Sequence, residues 1–223
     1  MQKNELTFIY LGFAGIILRT KDNTLAFDLG EKCISKEDII GIKTLDIQFY
    51  SHTHWDHFDI DVTKELFSHT RAKIVAEAQV YEELSNIMES ELSVLNIAKP
   101  GETLSINGFE VDTAVGVHPR PISIFRVKWA DFSIFHGADS GPVSLKNYHA
   151  DVAFLPTGTP SPTCSPENAL KMALDIKPKV IVAMHGTVKQ MTKLKSIAEK
   201  RIPDVKIILP QQNEVMKIDL TSK

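Results

Sequence analysis

The sequence predicts an α/β (α+β) chain in which two hairpin-rich sheets pack face to face beneath outer helices. Two strand-like pairs flank the tight-turn dipeptides Asn107-Gly108 and Ala130-Asp131, and Asn-Gly is the strongest short hairpin signal a sequence carries. In the last third, apolar runs such as Val180 to Met184 alternate with helix-period segments, as a buried sheet with covering helices requires. The hairpins favour this arrangement over a doubly wound parallel sheet.

The elements follow in order. Leu6 to Tyr10 and Gly15 to Arg19 are strand-like, and Lys21-Asp22-Asn23 supplies a turn. Leu25 to Phe27 and Ile47 to Tyr50 are short strands. Helix formers fill Asp61 to Phe67 and Gln79 to Met88, the second with Val80, Leu84 and Ile87 on its apolar face, and Lys73 to Ala76 between them reads as strand. Thr103 to Ile106 and Phe109 to Val117 form the first hairpin, Ile122 to Trp129 and Phe132 to Phe135 the second. Val152 to Leu155 and Val180 to Met184 are strands. Ser165-Pro166 opens a helix with serine as cap and proline at the first helical position. Val188 to Lys200 is a helix with Met191, Leu194 and Ile197 on one face, and Val205 to Leu209 and Glu214 to Ile218 end the chain as strands.

With 223 residues, 43% of them hydrophobic and 24% charged, the chain has ordinary globular values and is read as one domain, residues 1–223. The net charge of −3 and the lack of a long basic run argue against a nucleic-acid or membrane surface. Two cysteines, Cys33 and Cys164, make no disulfide framework and suit a reducing, cytoplasmic setting. The apolar segment Phe8 to Leu18 is too short to span a bilayer as a helix. No Ala-x-Ala cleavage site follows it, and it reads as buried strand.

The chemistry concentrates in Ser51-His52-Thr53-His54-Trp55-Asp56-His57-Phe58-Asp59, directly after a strand. Three imidazoles and a carboxylate within six residues suit zinc, iron, manganese, nickel or cobalt. On extended backbone His52 and His54 point the same way and can share one cation. A bend after them would turn Asp56 and His57 toward a neighbouring one. Elsewhere Asp28, His118, Asp139 and His185 each fall just past a predicted strand end, where rigid sheets commonly carry site residues.

This text resembles the metallo-β-lactamase superfamily, whose signature is H-x-H-x-D-H followed by a distant His, Asp and His. His52-Thr53-His54-Trp55-Asp56-His57, His118, Asp139 and His185 match it in order, and Asp28 matches an early family aspartate. The stretches HGADS at His136 to Ser140, FLPTG at Phe154 to Gly158 and PENALKMALDIKPKVIVAMHGT at Pro166 to Thr187 resemble the branch that includes the phosphorylated-ascorbate lactonase and many uncharacterised hydrolases. Two positions depart from that branch: Gly12-Phe13 stands where Gly-His is frequent, and Ala138 replaces a glycine. Both weaken the transfer of any particular substrate.

The resemblance implies a four-layer αββα sandwich and a metal-dependent hydrolase with two divalent cations, zinc first, with manganese, iron, nickel or cobalt compatible. One cation takes His52, His54 and His118, the other Asp56, His57 and His185, and Asp139 bridges them. A hydroxide held by both would attack a small ester-like, lactone or phosphodiester substrate. Asp56 would orient it, Asp28 would fix a ligand histidine or the loop, and His136 would support the site or donate a proton. Di-iron oxygen-reducing relatives carry Glu at the second motif histidine, so His54 favours hydrolysis. Two other readings share the fold. A structured-RNA processing nuclease would need a basic arm that the sequence lacks, and a non-catalytic metal-binding or ligand-sensing module would not need so complete a ligand set. A homo-oligomer is compatible with either.

Other polar residues have plainer readings. His69 and His149 read as surface or local hydrogen-bonding groups, Cys33 and Cys164 as packing residues, and Arg120 and Lys128 as surface cations. Trp55 reads equally as packing residue or pocket lining.

Overall fold

The computed structural model describes residues 5–129 and 132–220. In chain order the elements begin with β1 (Glu5–Gly12), β2 (Gly15–Arg19), β3 (Thr24–Phe27), α1 (Lys36–Gly41), β4 (Ile47–Tyr50), α2 (Ile60–Thr70), β5 (Lys73–Ala76), α3 (Ala78–Ile87) and β6 (Leu95–Ile97). There follow β7 (Thr103–Ile106), β8 (Phe109–Val115), β9 (Ser123–Trp129), β10 (Phe132–His136), β11 (Val152–Pro156), α4 (Pro166–Ile176), β12 (Val180–Met184), α5 (Val188–Arg201), β13 (Lys206–Ile208) and β14 (Val215–Asp219). The chain divides into two units, Met1–Lys99 with Gln212–Lys223, and Pro100–Gln211.

The first unit is built on a mixed sheet of order β14-β1-β2-β3-β4-β5-β6. Strands β14, β1, β2 and β3 pair antiparallel, whereas β3, β4, β5 and β6 run parallel. The apolar run Phe8 to Leu18, expected as buried strand, is two strands joined by a tight turn at Gly12-Phe13-Ala14. Helices α1 and α2 close one apolar cluster, in which Ile39, Val62 and Leu66 meet Leu11, Ile17 and Ala26. Helices α2 and α3 close a second, where Phe67, Val80 and Leu84 meet Tyr50, Ile74 and Leu95. Ile87, expected on the buried face of α3, is 44% exposed because the helix ends there.

The second unit repeats the plan with order β13-β12-β11-β10-β9-β8-β7. Strands β7 to β10 are antiparallel neighbours, and β10 to β13 are parallel. Asn107 and Gly108 close β7 and β8 with φ of +50° and +81°, the double positive φ that a type I′ turn demands. Trp129 pairs with Phe132 across the second hairpin, whose turn, Ala130-Asp131, lies outside the described residues. Strands β11 and β12 are buried along their whole length, as parallel strands covered on both faces are. Helix α4 starts where its cap predicts: the Ser165 hydroxyl accepts from the Asn168 N–H, and Pro166 occupies the first turn. No helix among the described residues is long and apolar enough to cross a membrane.

Candidate metal centre

In each unit the parallel strands point their carboxyl ends the same way, and all the chemistry-bearing residues but His118 follow those ends, the usual location of sites in such sheets. In the first unit Asp28 follows β3, and Ser51 to His57 follow β4. Glu77, which follows β5, caps α3 by accepting from the Gln79 N–H.

Asp28 is the organising group of this half. One carboxylate oxygen accepts from the Ser51 N–H at 2.8 Å. The other accepts from the Ser51 hydroxyl at 2.7 Å and from His57 Nδ1 at 2.9 Å. Because the Ser51 hydroxyl spends its proton on Asp28, its oxygen receives the Nδ1–H of His52 at 3.0 Å. The partners thus assign both rings the Nδ1–H tautomer and place each lone pair on Nε2. A carboxylate or hydroxyl behind the distal nitrogen is the usual means of aiming a metal-binding imidazole. Asp28, Ser51, His52 and His57 are all buried, so the network lies out of bulk water, where its hydrogen bonds are stronger. The sequence reading missed Ser51. Its only signal was its place directly before the first motif histidine.

The expected bend is present. The His57 and Phe58 N–H groups both donate to the His54 carbonyl at 2.9 Å, turning the chain at Trp55-Asp56-His57. The His52 ring lies 4.7 Å from His54 and 4.2 Å from His57 between centroids, and Asp56 Oδ2 is 3.6 Å from His57 Nε2. Two small residues support this loop. A Cβ on Gly30 would lie 2.4 Å from the Trp55 carbonyl oxygen and 2.8 Å from the His57 nitrogen. The Cys33 thiol reaches the Asp56 carbonyl at 3.4 Å. Burial pushes that thiol up to about 12, which makes it a support and not a nucleophile.

In the second unit His118, Asp139 and His185 come together. Asp139 Oδ2 lies 3.1 Å from His118 Nε2 and 3.9 Å from His185 Nε2, with all three side chains at least 96% buried. His118 is not at a strand end as expected: β8 stops at Val115, and His118 follows an isolated bridge between Val117 and Gly141. That bridge fastens the His118 loop to the Asp139 loop, helped by the Ser140 hydroxyl accepting from the Val117 N–H at 2.8 Å. The Asp139 carbonyl accepts from Ser161, Thr163 and Cys164. Burial raises the Cys164 thiol to about 12 as well. His185 Nδ1 donates to the Gly158 carbonyl at 3.3 Å, which again aims Nε2 the other way. His118 Nδ1 receives the Arg120 N–H at 3.2 Å. His136 is fully buried at the end of β10, its ring centroid 6.5 Å from that of Phe154.

Asp28 and His185 share a backbone peculiarity, φ of +47° and +46°. Left-handed conformations are uncommon outside glycine and carry strain that the surroundings must hold. Both bend the chain sharply at a strand's carboxyl end.

A family model described as a β-lactamase superfamily domain matches residues 35–186, more than half of the chain. The chain belongs to the metallo-β-lactamase superfamily. The matched segment holds every motif residue from His52 to His185, while Asp28 precedes it. As a member of this superfamily the protein is a metal-dependent hydrolase, and its histidine and aspartate donors suit divalent metals. The metallo-β-lactamase fold is equally plain in solved structures. Igni18, a metallo hydrolase from Ignicoccus hospitalis, superposes with a TM-score of 0.80 at 18% identity, covering 96% of this chain and 99% of its own. The metallo-β-lactamase fold protein YhfI from Bacillus subtilis gives 0.75 at 17% identity, with 96% and 100% covered. The diiron β-hydroxylase CmlA from Streptomyces venezuelae gives 0.74 at 13% identity, over 98% of this chain but 55% of its own. No curated protein matches the sequence.

Proposed function

We propose that the chain is a single catalytic domain with a binuclear metal centre, at which it hydrolyses a small ester-like, lactone or phosphodiester substrate. His52, His54 and His118, grouped with Asp139, would hold one cation, and Asp56, His57 and His185 the other; Asp139 would serve both. The observation that carries this reading is Asp139 Oδ2 set between the Nε2 atoms of His118 and His185, a carboxylate oxygen shared by two imidazoles assigned to different cations. The donor count agrees. The first unit supplies a pair for each cation, and a catalytic site needs about three protein ligands per metal with a position left for water or substrate.

Two divalent cations bound by these residues would supply Lewis-acid polarisation and a water ionised near neutral pH. The protein's part is to aim and to neutralise. Asp28 and Ser51 fix His52 and His57 with Nε2 forward, and the Gly158 carbonyl does so for His185. The Asp56 carboxylate, beside His57 Nε2, would orient the attacking oxygen. His54, where di-iron oxygen-reducing relatives have a glutamate, favours hydrolysis over the oxidative chemistry named for CmlA.

The test is a metal-reconstituted screen of lactones, carboxylic esters and phosphodiesters, with Asp139→Asn and His52→Ala as controls. The expected result is turnover in at least one class that falls by about a hundredfold or more in both variants. Full activity of the metal-stripped protein, or of His52→Ala, would contradict it.

A further inference from the structure

We propose that Trp55 and Phe13 form an aryl-binding wall beside the metal ligands, so that the substrate carries an aromatic or similarly flat apolar substituent next to the bond that is cut, a step that rests on the hydrolase reading above. Trp55 stands in the chain between the ligands His54 and Asp56. It is 54% exposed, whereas the other tryptophan, Trp129, is 7% exposed. Folding gains little from so large an apolar ring left in water. Its backbone has no room to retreat, because Gly30 lies against the Trp55 carbonyl with no space for even a methyl group.

Phe13 meets the Trp55 ring edge-on, with centroids 5.6 Å apart and planes at 80°. It does so from a left-handed backbone, φ +48°, where a bulky residue is an outlier and glycine the easy choice. The turn that carries it is held in place. Gln212 Nε2 donates to the Leu11 carbonyl at 2.9 Å, the Asn213 N–H donates to the Tyr10 carbonyl at 2.8 Å, and Phe13 itself packs against the cluster of Leu11 and Ile17. A strained phenylalanine is thus kept where it sets the angle of an exposed tryptophan next to two ligands. Two rings at a T-shaped angle offer a third ring a face and an edge at once, the geometry aromatic groups prefer.

The test uses the zinc-loaded full chain and two inert phosphonates that differ in one group, phenylphosphonate and methylphosphonate, with dissociation constants read by calorimetry. The wild-type protein is expected to bind phenylphosphonate about tenfold more tightly than methylphosphonate. In Trp55→Ala that ratio should fall to near one, and the exposed position keeps this variant folded. Phe13→Gly, which relieves the backbone strain, should reduce the ratio as well. Equal affinity in the wild type, or a preference that survives in Trp55→Ala, overturns the wall while leaving the hydrolase reading in place. Failure of zinc, or of both phosphonates, to bind at all overturns both.

Discussion

At the scale of single residues, the metal centre is a problem of aiming imidazoles, and Asp28 carries most of it. One carboxylate serves His57 directly and His52 through Ser51. Replacing Asp28 by Asn removes the charge and leaves a group that accepts through one oxygen only. Metal affinity, measured by competition with a chromophoric chelator, is expected to fall about 10–100-fold. Ser51→Ala breaks only the indirect link and should weaken binding by about tenfold at most. Equal losses in the two variants would contradict this division of labour. The thiols give a separate prediction. Cys33 and Cys164 lie near 12 in the folded chain against 9.0 for an ordinary thiol. Above pH 9 the unfolded chain ionises them and the folded chain does not. Stability is therefore undisturbed below pH 9 and falls as pH rises from there toward 12, by up to about 1.4 kcal/mol per pH unit for each thiol. Urea midpoints between pH 8 and 11 should drop less steeply in a Cys33→Ala, Cys164→Ala double variant than in the wild type.

At the scale of elements, much of the structure was readable where the sequence punctuates itself. Strands β4, β5 and β12 begin and end as the apolar runs do, since turn or polar residues bound them on both sides. The metal loop was legible for the same reason: three histidines in six residues have no packing use. Short elements left too little pattern. Helix α1 has six residues and β6 three, less than a period needs to register. The parallel halves of both sheets are absent from the local text, because parallel pairing joins segments far apart in the chain. Left-handed backbone at Phe13, Asp28, Ala138 and His185 was equally hidden, as none is a glycine. Two of these turns are open to test by thermal melts. Ala138 is buried with φ +48°, so Ala138→Gly should stabilise by up to about 1 kcal/mol, the strain relieved less the extra chain entropy. Gly30→Ala should destabilise by about 1–3 kcal/mol, because its methyl group would meet backbone and not a movable side chain.

At the scale of the whole molecule, each unit repeats one plan, an antiparallel half joined to a parallel half whose carboxyl edge supplies most of the donors, His118 after the antiparallel β8 being the exception. Metal binding is linked to folding, because the unfolded chain has no preformed site. Adding zinc to the stripped protein at a hundred times its dissociation constant should raise stability by about 2.7 kcal/mol, seen as a higher melting temperature that a chelator reverses. His185→Ala, in the second unit, should lose part of this gain just as His52→Ala does in the first. A melting temperature indifferent to metal would contradict a metal centre built from these residues.

The most direct measurement is anomalous scattering at a metal absorption edge from crystals of the reconstituted protein. Two peaks are expected, about 3.5–4 Å apart, one beside His52, His54 and His118, the other beside Asp56, His57 and His185, with Asp139 reaching both. A single peak, or peaks away from these side chains, would contradict a binuclear centre.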